Sequence, residues 1–288
     1  MRRLLTVILC FLLISLASCT AKNEGNTKQP ERKTEAVRVE ETTKTQKITE
    51  DEQESEPVEK ELLTPEILME ELCTYSDFAC MLQTPGCNEL YNSQITLTEP
   101  VVKSYRLSNN YTGEYIQLLC LACEEDAKTA SETYNGFDYT NRFGAMYLFG
   151  SSSYIDILSF LDYEYPASFE SQPSEEPAAD SVAGIVKAIE DATELCGGYY
   201  SEQLIESTKD NINNKFTLEG DILNLVHLTY HDGTVLRFVY IYEFESENDA
   251  ALYEADRTAF SQSIEDGVCV RSGNKVIFGN HSIISEIF

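Results

Sequence analysis

Three histidines and nine cysteines are the residues from which metal, redox or nucleophilic chemistry would have to be assembled. His227 and His231 stand four apart, the spacing that puts two zinc ligands on one helical turn. The residues around them, Leu225 to His231, pattern like a strand. At about 3.3 Å per residue their Cα atoms would lie roughly 13 Å apart, on one face but out of reach of a shared ion. They are expected to be polar strand residues, and His281 stands alone. Cys120 and Cys123 form a C-x-x-C, which is a redox pair at a helix N-terminus. Here Leu118 to Cys123 reads as a strand entering a helix, with no second C-x-x-C to complete a zinc ribbon, so two separate thiols are expected. Cys73 and Cys196 fall on apolar stretches read as helix faces, which makes them core residues. Cys80 and Cys87 flank Pro85-Gly86 and could close a small disulfide loop. These sets imply no metal and no cofactor.

No G-x-S-x-G, Walker A loop, dinucleotide glycine pattern, HExxH or EF-hand loop occurs. Asp210 to Glu219 is rich in Asn and Asp but lacks the EF-hand glycine and spacing. Carboxylates are so frequent that no pair is singled out for glycosidase chemistry. The remaining feature is aromatic: Phe238, Tyr240, Tyr242 and Phe244 alternate along one strand face, with Val239 and Ile241 on the other. An exposed row of this kind suits a peptide, a glycan or a partner sheet; a row covered by helices or by the other half of the chain is core.

The elements that would carry these residues come in two similar sets. Thr64-Pro65 is a helix start, followed by Ile67, Leu68, Leu72 and Cys73 near helical spacing. Asp180-Ser181 opens a second such run through Val182, Ile185, Val186 and Ile189, with Gly197-Gly198 as its stop. Both runs end on Glu-Leu-Cys, 123 positions apart, and the same shift sets Ile116–Leu119 on Val239–Tyr242, Asp126-Ala127 on Asp249-Ala250, Gly144 on Gly267 and Gly150 on Gly273. His231-Asp232-Gly233-Thr234 has the Asp-Gly centre of a two-residue hairpin, pairing Leu225–His231 with Thr234–Tyr240, and Asn109-Asn110 occupies the same place earlier. Ser246 with Asp249 reads as a helix cap. Second hairpins are expected at Ala145–Phe149 with Tyr154–Phe160 and at Val268–Arg271 with Lys275–Phe278, turning at Gly150 and Gly273. The fold class is therefore α+β: two tandem repeats, residues 62–161 and 181–288, each helix–β-hairpin–helix–β-hairpin with a mainly antiparallel sheet. Residues 162–180, with Pro166, Pro173 and Pro177, read as an extended linker.

What precedes the repeats is of another character. Residues 20–61 carry no aromatic and few aliphatic side chains, too little apolar surface to offset chain entropy. They read as a tether with a root-mean-square span of roughly 35–40 Å. Arg2 and Arg3 precede a run from Leu4 to Leu16, the length of a signal h-region and shorter than the about 20 residues of a membrane span. Leu16-Ala17-Ser18-Cys19 follows, and this stretch resembles the lipobox of bacterial lipoproteins. The resemblance implies that residues 1–18 are a signal peptide, that the Cys19 thiol is alkylated by diacylglycerol, and that residues 19–61 tether the folded part to the outer face of a membrane. An ordinary secretory signal cleaved near Ser18 is the other reading. The whole arrangement is similar to small lipoproteins of unknown function from Gram-positive anaerobes, a likeness that brings no catalytic residue with it.

Composition narrows the partners. Asp and Glu number 49 against 21 Lys and Arg, a surface that repels phosphate backbones and anionic headgroups, so nucleic acid is excluded and acyl chains would have to hold the protein to lipid. The expected function is a non-catalytic binding or envelope-interaction module, whose partner is an envelope protein, a peptide or a glycan. A cell-envelope enzyme of unrecognised class and a solute-binding component of a transporter are the alternatives. The latter is disfavoured because its hinged lobes need longer βαβ units than these.

Overall fold

Leu82 and Tyr199 face each other at the midline of one ten-stranded antiparallel sheet, and the two halves of the chain extend outward from that pair. The computed structural model describes residues 60–288 apart from 76–77, 110, 159–161, 172–174 and 232–235. Cys19, residues 1–18 and nearly all of the tether therefore lie outside the described residues, as does the Asp232-Gly233 turn. The first half runs α1 (Pro65–Tyr75), β1 (Ala79–Gln83), α2 (Pro85–Gln94), β2 (Lys103–Ser108), β3 (Tyr115–Cys120), α3 (Glu124–Thr133), β4 (Tyr139–Phe143), β5 (Met146–Gly150) and α4 (Tyr154–Ile157). The second runs α5 (Val182–Ala192), β6 (Cys196–Tyr200), α6 (Glu202–Asn213), β7 (Ile222–His231), β8 (Leu236–Phe244), α7 (Glu247–Ser261), β9 (Gly267–Ser272), β10 (Lys275–Asn280) and α8 (His281–Ile284). Counted outward from the midline, the strands come in the order β1, β2, β3, β5, β4 on one side and β6, β7, β8, β10, β9 on the other.

Successive strand residues point to opposite faces, and here both faces are apolar, so helices cover the sheet on both sides. Leu118 packs with Leu68 and Leu72 of α1, while Leu119 packs with Ala127 and Ala130 of α3. In the second half Ile241 meets Ile185 and Ile189 of α5, and Tyr242 meets Ala250 and Tyr253 of α7. Helix α5 shows why these segments are helical: the Ser181 hydroxyl accepts the Gly184 N–H at 3.0 Å, and Val182, Ile185, Val186 and Ile189 form one buried stripe. Each such side chain contributes about 1.5–3 kcal/mol by leaving water.

Matching contacts recur in the two halves. Asp126 in the first turn of α3 is buried and accepts the Thr98 N–H at 2.8 Å and the Thr98 hydroxyl at 2.6 Å. Asp249 in the first turn of α7 is buried and accepts the N–H groups of Glu219 and Gly220, both at 2.9 Å. Ser151 Oγ accepts the Tyr115 N–H at 3.1 Å, and Asn280 Oδ1 accepts the Phe238 N–H at 2.8 Å. Gly144 and Gly273 turn the outer hairpins at φ of 57° and 60°, a backbone region in which a Cβ is costly. Asp126 and Asp249 lie 123 positions apart but Gly144 and Gly273 lie 129 apart, so the shift of 123 does not place Gly144 on the turn of the second outer hairpin.

Several sequence expectations are corrected. The helix–hairpin–helix–hairpin unit omits β1 with α2 and β6 with α6, the elements that form the midline. Gly197-Gly198 does not stop a helix; it lies inside β6, where the absence of side chains lets neighbouring strands close in. Cys196 consequently sits on a strand. The outer hairpin of the first half is β4 with β5 and turns at Gly144, whereas Tyr154–Ile157 is helical, with the Ser152 hydroxyl accepting the Tyr154 N–H at 3.4 Å. The described parts of 162–180 are extended but docked: Pro166 O accepts the Ala145 N–H at 2.7 Å and Leu121 O the Phe169 N–H at 3.2 Å.

Candidate functional site

At the end of the midline strands, β1 passes into α2 beside the start of β6. Thr84 locks this crossing, since its N–H donates to Gly197 O at 2.9 Å and its hydroxyl accepts the Gly197 N–H at 3.1 Å. Pro85 then starts α2, and its first turn meets the C-terminal part of α5: Gly86 N–H donates to Glu190 Oε2 at 3.1 Å. A groove of about 1020 Å³ opens along this contact, and Leu90, Val186, Leu195 and Tyr199 are among its lining residues. Six of its nineteen lining residues are carboxylates, namely Glu89, Glu175, Glu176, Glu190, Asp191 and Glu194, against 49 of 288 in the whole chain. Lys187, the one basic lining residue, is already paired with Asp191 at 2.6 Å. The groove therefore mixes apolar side chains with six carboxylates and one paired lysine.

Glu190 is the most perturbed acid of this lining. Burial pushes its carboxyl up, and the neighbouring charges of Glu89 and Asp191 push the same way. Its Oε1 is buried and makes no hydrogen bond among the described residues. A folded-state value above the unfolded one means that the charge costs stability once pH exceeds the ordinary carboxylate range, and costs nothing below it. Glu190→Gln keeps an acceptor for Gly86 and is expected to be more stable than the parent at pH 7 and equal to it below about pH 4; urea titrations at the two pH values check this.

Against the same groove stand two thiols. Cys87, in the first turn of α2, is buried and its Sγ lies 3.5 Å from Gly197 O. Cys196, half-buried, lines the groove. The Cys87 S–H donates to Gly197 O; the neighbouring Cys196 sulfur, with burial, pushes the Cys87 thiol up, and the same neighbour holds Cys196 below its ordinary value.

The residues singled out in the sequence are not brought together. Of the aromatic row, Phe244 is fully buried and Tyr242 nearly so, packed under Tyr253 of α7 with ring centroids 5.4 and 4.6 Å away. These two are core and present no surface, because α6, α7 and the loop before β7 cover their face. Tyr240 and Phe238 are half-buried, and Tyr240 stacks on His227 at 4.0 Å and 3°. Cys80 is separated from Cys87: its thiol meets Met69 Sδ at 3.8 Å, within the α1 core. Cys120 is buried in that core and Cys123 is the N-cap residue of α3. Among the described residues no group of three or more His, Cys, Asp and Glu is placed to hold a metal ion, and no helix is long and apolar enough to cross a membrane.

His227 does affect stability. Burial lowers its imidazole to about 4, well under the ordinary 6.5. Between these values the unfolded chain takes up a proton that the folded one refuses, so stability falls as pH drops from 6.5 to 4, by at most about 3 kcal/mol, and is unaffected above 6.5. His227→Phe, which keeps the stack on Tyr240, is expected to lose less stability than the parent between pH 7 and 4.5; equal losses would contradict the assignment.

Sequence reasoning missed Glu190, the Cys87–Cys196 contact and the groove. The only hint was compositional, in Glu175-Glu176 and Glu190-Asp191 flanking an apolar helix. Comparison of the chain with protein-family models, with curated proteins and with solved structures found no match in any of the three.

Proposed function

We propose that this chain is a membrane-anchored extracytoplasmic lipoprotein that binds its partner without transforming it, and that the partner presents a cationic, partly apolar peptide segment to the groove beside α5. The observation that carries this reading is the groove's composition: apolar side chains with six carboxylates and one lysine already paired. Such a lining attracts and orients a basic segment while repelling anionic ligands, and its apolar residues supply the area for affinity. A neutral glycan would gain nothing from the carboxylates. The anchor rests on Arg2–Arg3, the apolar run and Leu16-Ala17-Ser18-Cys19, with diacylglycerol on Cys19 as the attachment to lipid.

The same proposal takes the two halves as copies of one α+β unit. It is supported by the common strand order, by the buried aspartates Asp126 and Asp249 that anchor equivalent loops, and by pairing at β1–β6 that is symmetric about Leu82–Tyr199. The groove then lies where one half meets the other.

Titration of the full chain with a peptide of alternating Lys and Leu tests the binding reading. Affinity should fall steeply with salt, and Glu175→Lys with Glu176→Lys and Glu194→Lys should weaken it by about tenfold or more at low ionic strength. Equal binding by the triple variant would refute the groove as the site.

A further inference from the structure

We infer that Cys87 and Cys196 form a reversible disulfide that ties α2 to β6 across the midline, made and broken by exchange with a disulfide from outside the protein. The inference rests on the geometry of the crossing and stands whether or not the groove binds a peptide. The double hydrogen bond between Thr84 and Gly197 fixes the start of α2 over β6. Cys87 Sγ is thereby held 3.5 Å from the carbonyl oxygen of the residue after Cys196, to which its S–H donates, with the Cys196 thiol as its neighbour. Among the other described cysteines, Cys80 neighbours the thioether of Met69 at 3.8 Å and lies near Cys73 within the α1 core.

The two thiols are unequal in a way that orders the steps. Cys196 lines the open groove, whereas Cys87 is 4% exposed. Cys196, as its thiolate, attacks one sulfur of an external disulfide, and the S–S electron pair leaves on the first external thiolate. The resulting mixed disulfide at Cys196 is then attacked by the sulfur of Cys87, whose proton passes to the departing second thiolate. In sum two protein thiols are oxidised to one disulfide and one external disulfide is reduced to two thiols. The bond would hold the Gly86–Leu90 wall of the groove against β6, adding a covalent tie to the Thr84–Gly197 and Gly86–Glu190 hydrogen bonds that hold it in the reduced protein.

The test uses the full chain equilibrated with oxidised glutathione, then alkylated, digested without reduction and mapped by mass. The expected product is a Cys87–Cys196 cross-linked peptide that disappears on treatment with dithiothreitol. Cys87→Ser should stall as a glutathione adduct at Cys196. In Cys196→Ser, Cys87 should react about tenfold or more slowly, because its thiol is buried and held protonated. Free alkylation of both thiols after oxidation, separate glutathione adducts without a cross-link, or a Cys80–Cys87 bond in the parent protein would overturn the inference. Equal reaction rates in the two variants would overturn the order of steps.

Discussion

Gly197→Ala is expected to cost about 3–5 kcal/mol, enough to remove much of the stability of an ordinary domain. An ideal Cβ on Gly197 would lie 1.8 Å from His227 O, 2.8 Å from His227 C and 2.9 Å from Leu228 Cα. All three are backbone atoms of β7, so no side chain can swing away. Relief requires β6 to move off β7, and β6 is also paired with β1 through Met81, Leu82 and Gln83. The strain therefore falls on the strands that join the halves. Gly136→Ala is the control, because nothing lies within 4 Å of its Cβ position. Chemical denaturation should show a large drop in midpoint for Gly197→Ala and almost none for Gly136→Ala. A Gly197→Ala protein as stable as its parent would mean that β6 does not lie against β7 as described.

Asp249→Ala is expected to cost about 1–3 kcal/mol, since it removes the buried carboxylate to which two part-buried N–H groups donate. Those donors, Glu219 and Gly220, belong to the loop that leads into β7, and β7 is the strand on which β8 and β6 both depend. Asp249→Asn keeps one acceptor oxygen and should lose less. Asp126→Ala in the first half should behave alike, and because the two sites share no partner their costs should add. At Asp126 burial pushes the carboxyl up, but the hydrogen bonds from Thr98 outweigh it and hold the group below its ordinary value. The stability it supplies is thus present above the unfolded value of about 3.9 and is lost as pH falls through the folded one. The gap between parent and Asp126→Ala should close in acid. A constant gap down to pH 2 would contradict the hydrogen-bonded carboxylate.

What could be read in the sequence follows from which forces are local. The starts at Thr64-Pro65, Ser181 and Ser246 were legible because caps satisfy N–H groups a few residues away. Asp126-Ala127 and Asp249-Ala250 stood out as a pair, and in the structure each is buried in the first turn of a helix. The strands β7, β8, β9 and β10 were legible from alternation, but β7 and β8 pair two residues away from the register that an Asp232-Gly233 turn would set, with His231 opposite Leu236 and Leu225 opposite Tyr242. Gly197-Gly198 was misread because glycine after an apolar helix is the common stop, whereas its use in β6 is set by the closeness of β7, which only the assembled sheet reveals. The aromatic row showed its alternation but not its cover: Tyr242 and Phe244 are core only because α7 folds back over β8. The candidate site was the least legible part. Cys87, Glu190 and Cys196 come from three elements that meet through one Thr84–Gly197 crossing, and nothing near any of them in the chain marks the meeting.

Mass analysis of the N-terminus in fractionated cells decides whether sulfur-linked lipid at Cys19 holds the protein outside the cell, as proposed. Membrane-associated chains that begin at Cys19 and carry diacylglycerol on its sulfur are expected, with the Cys19→Ala variant neither lipidated nor processed at that bond. Soluble cytosolic chains that still carry residues 1–18, with an unmodified Cys19 thiol, would contradict that proposal.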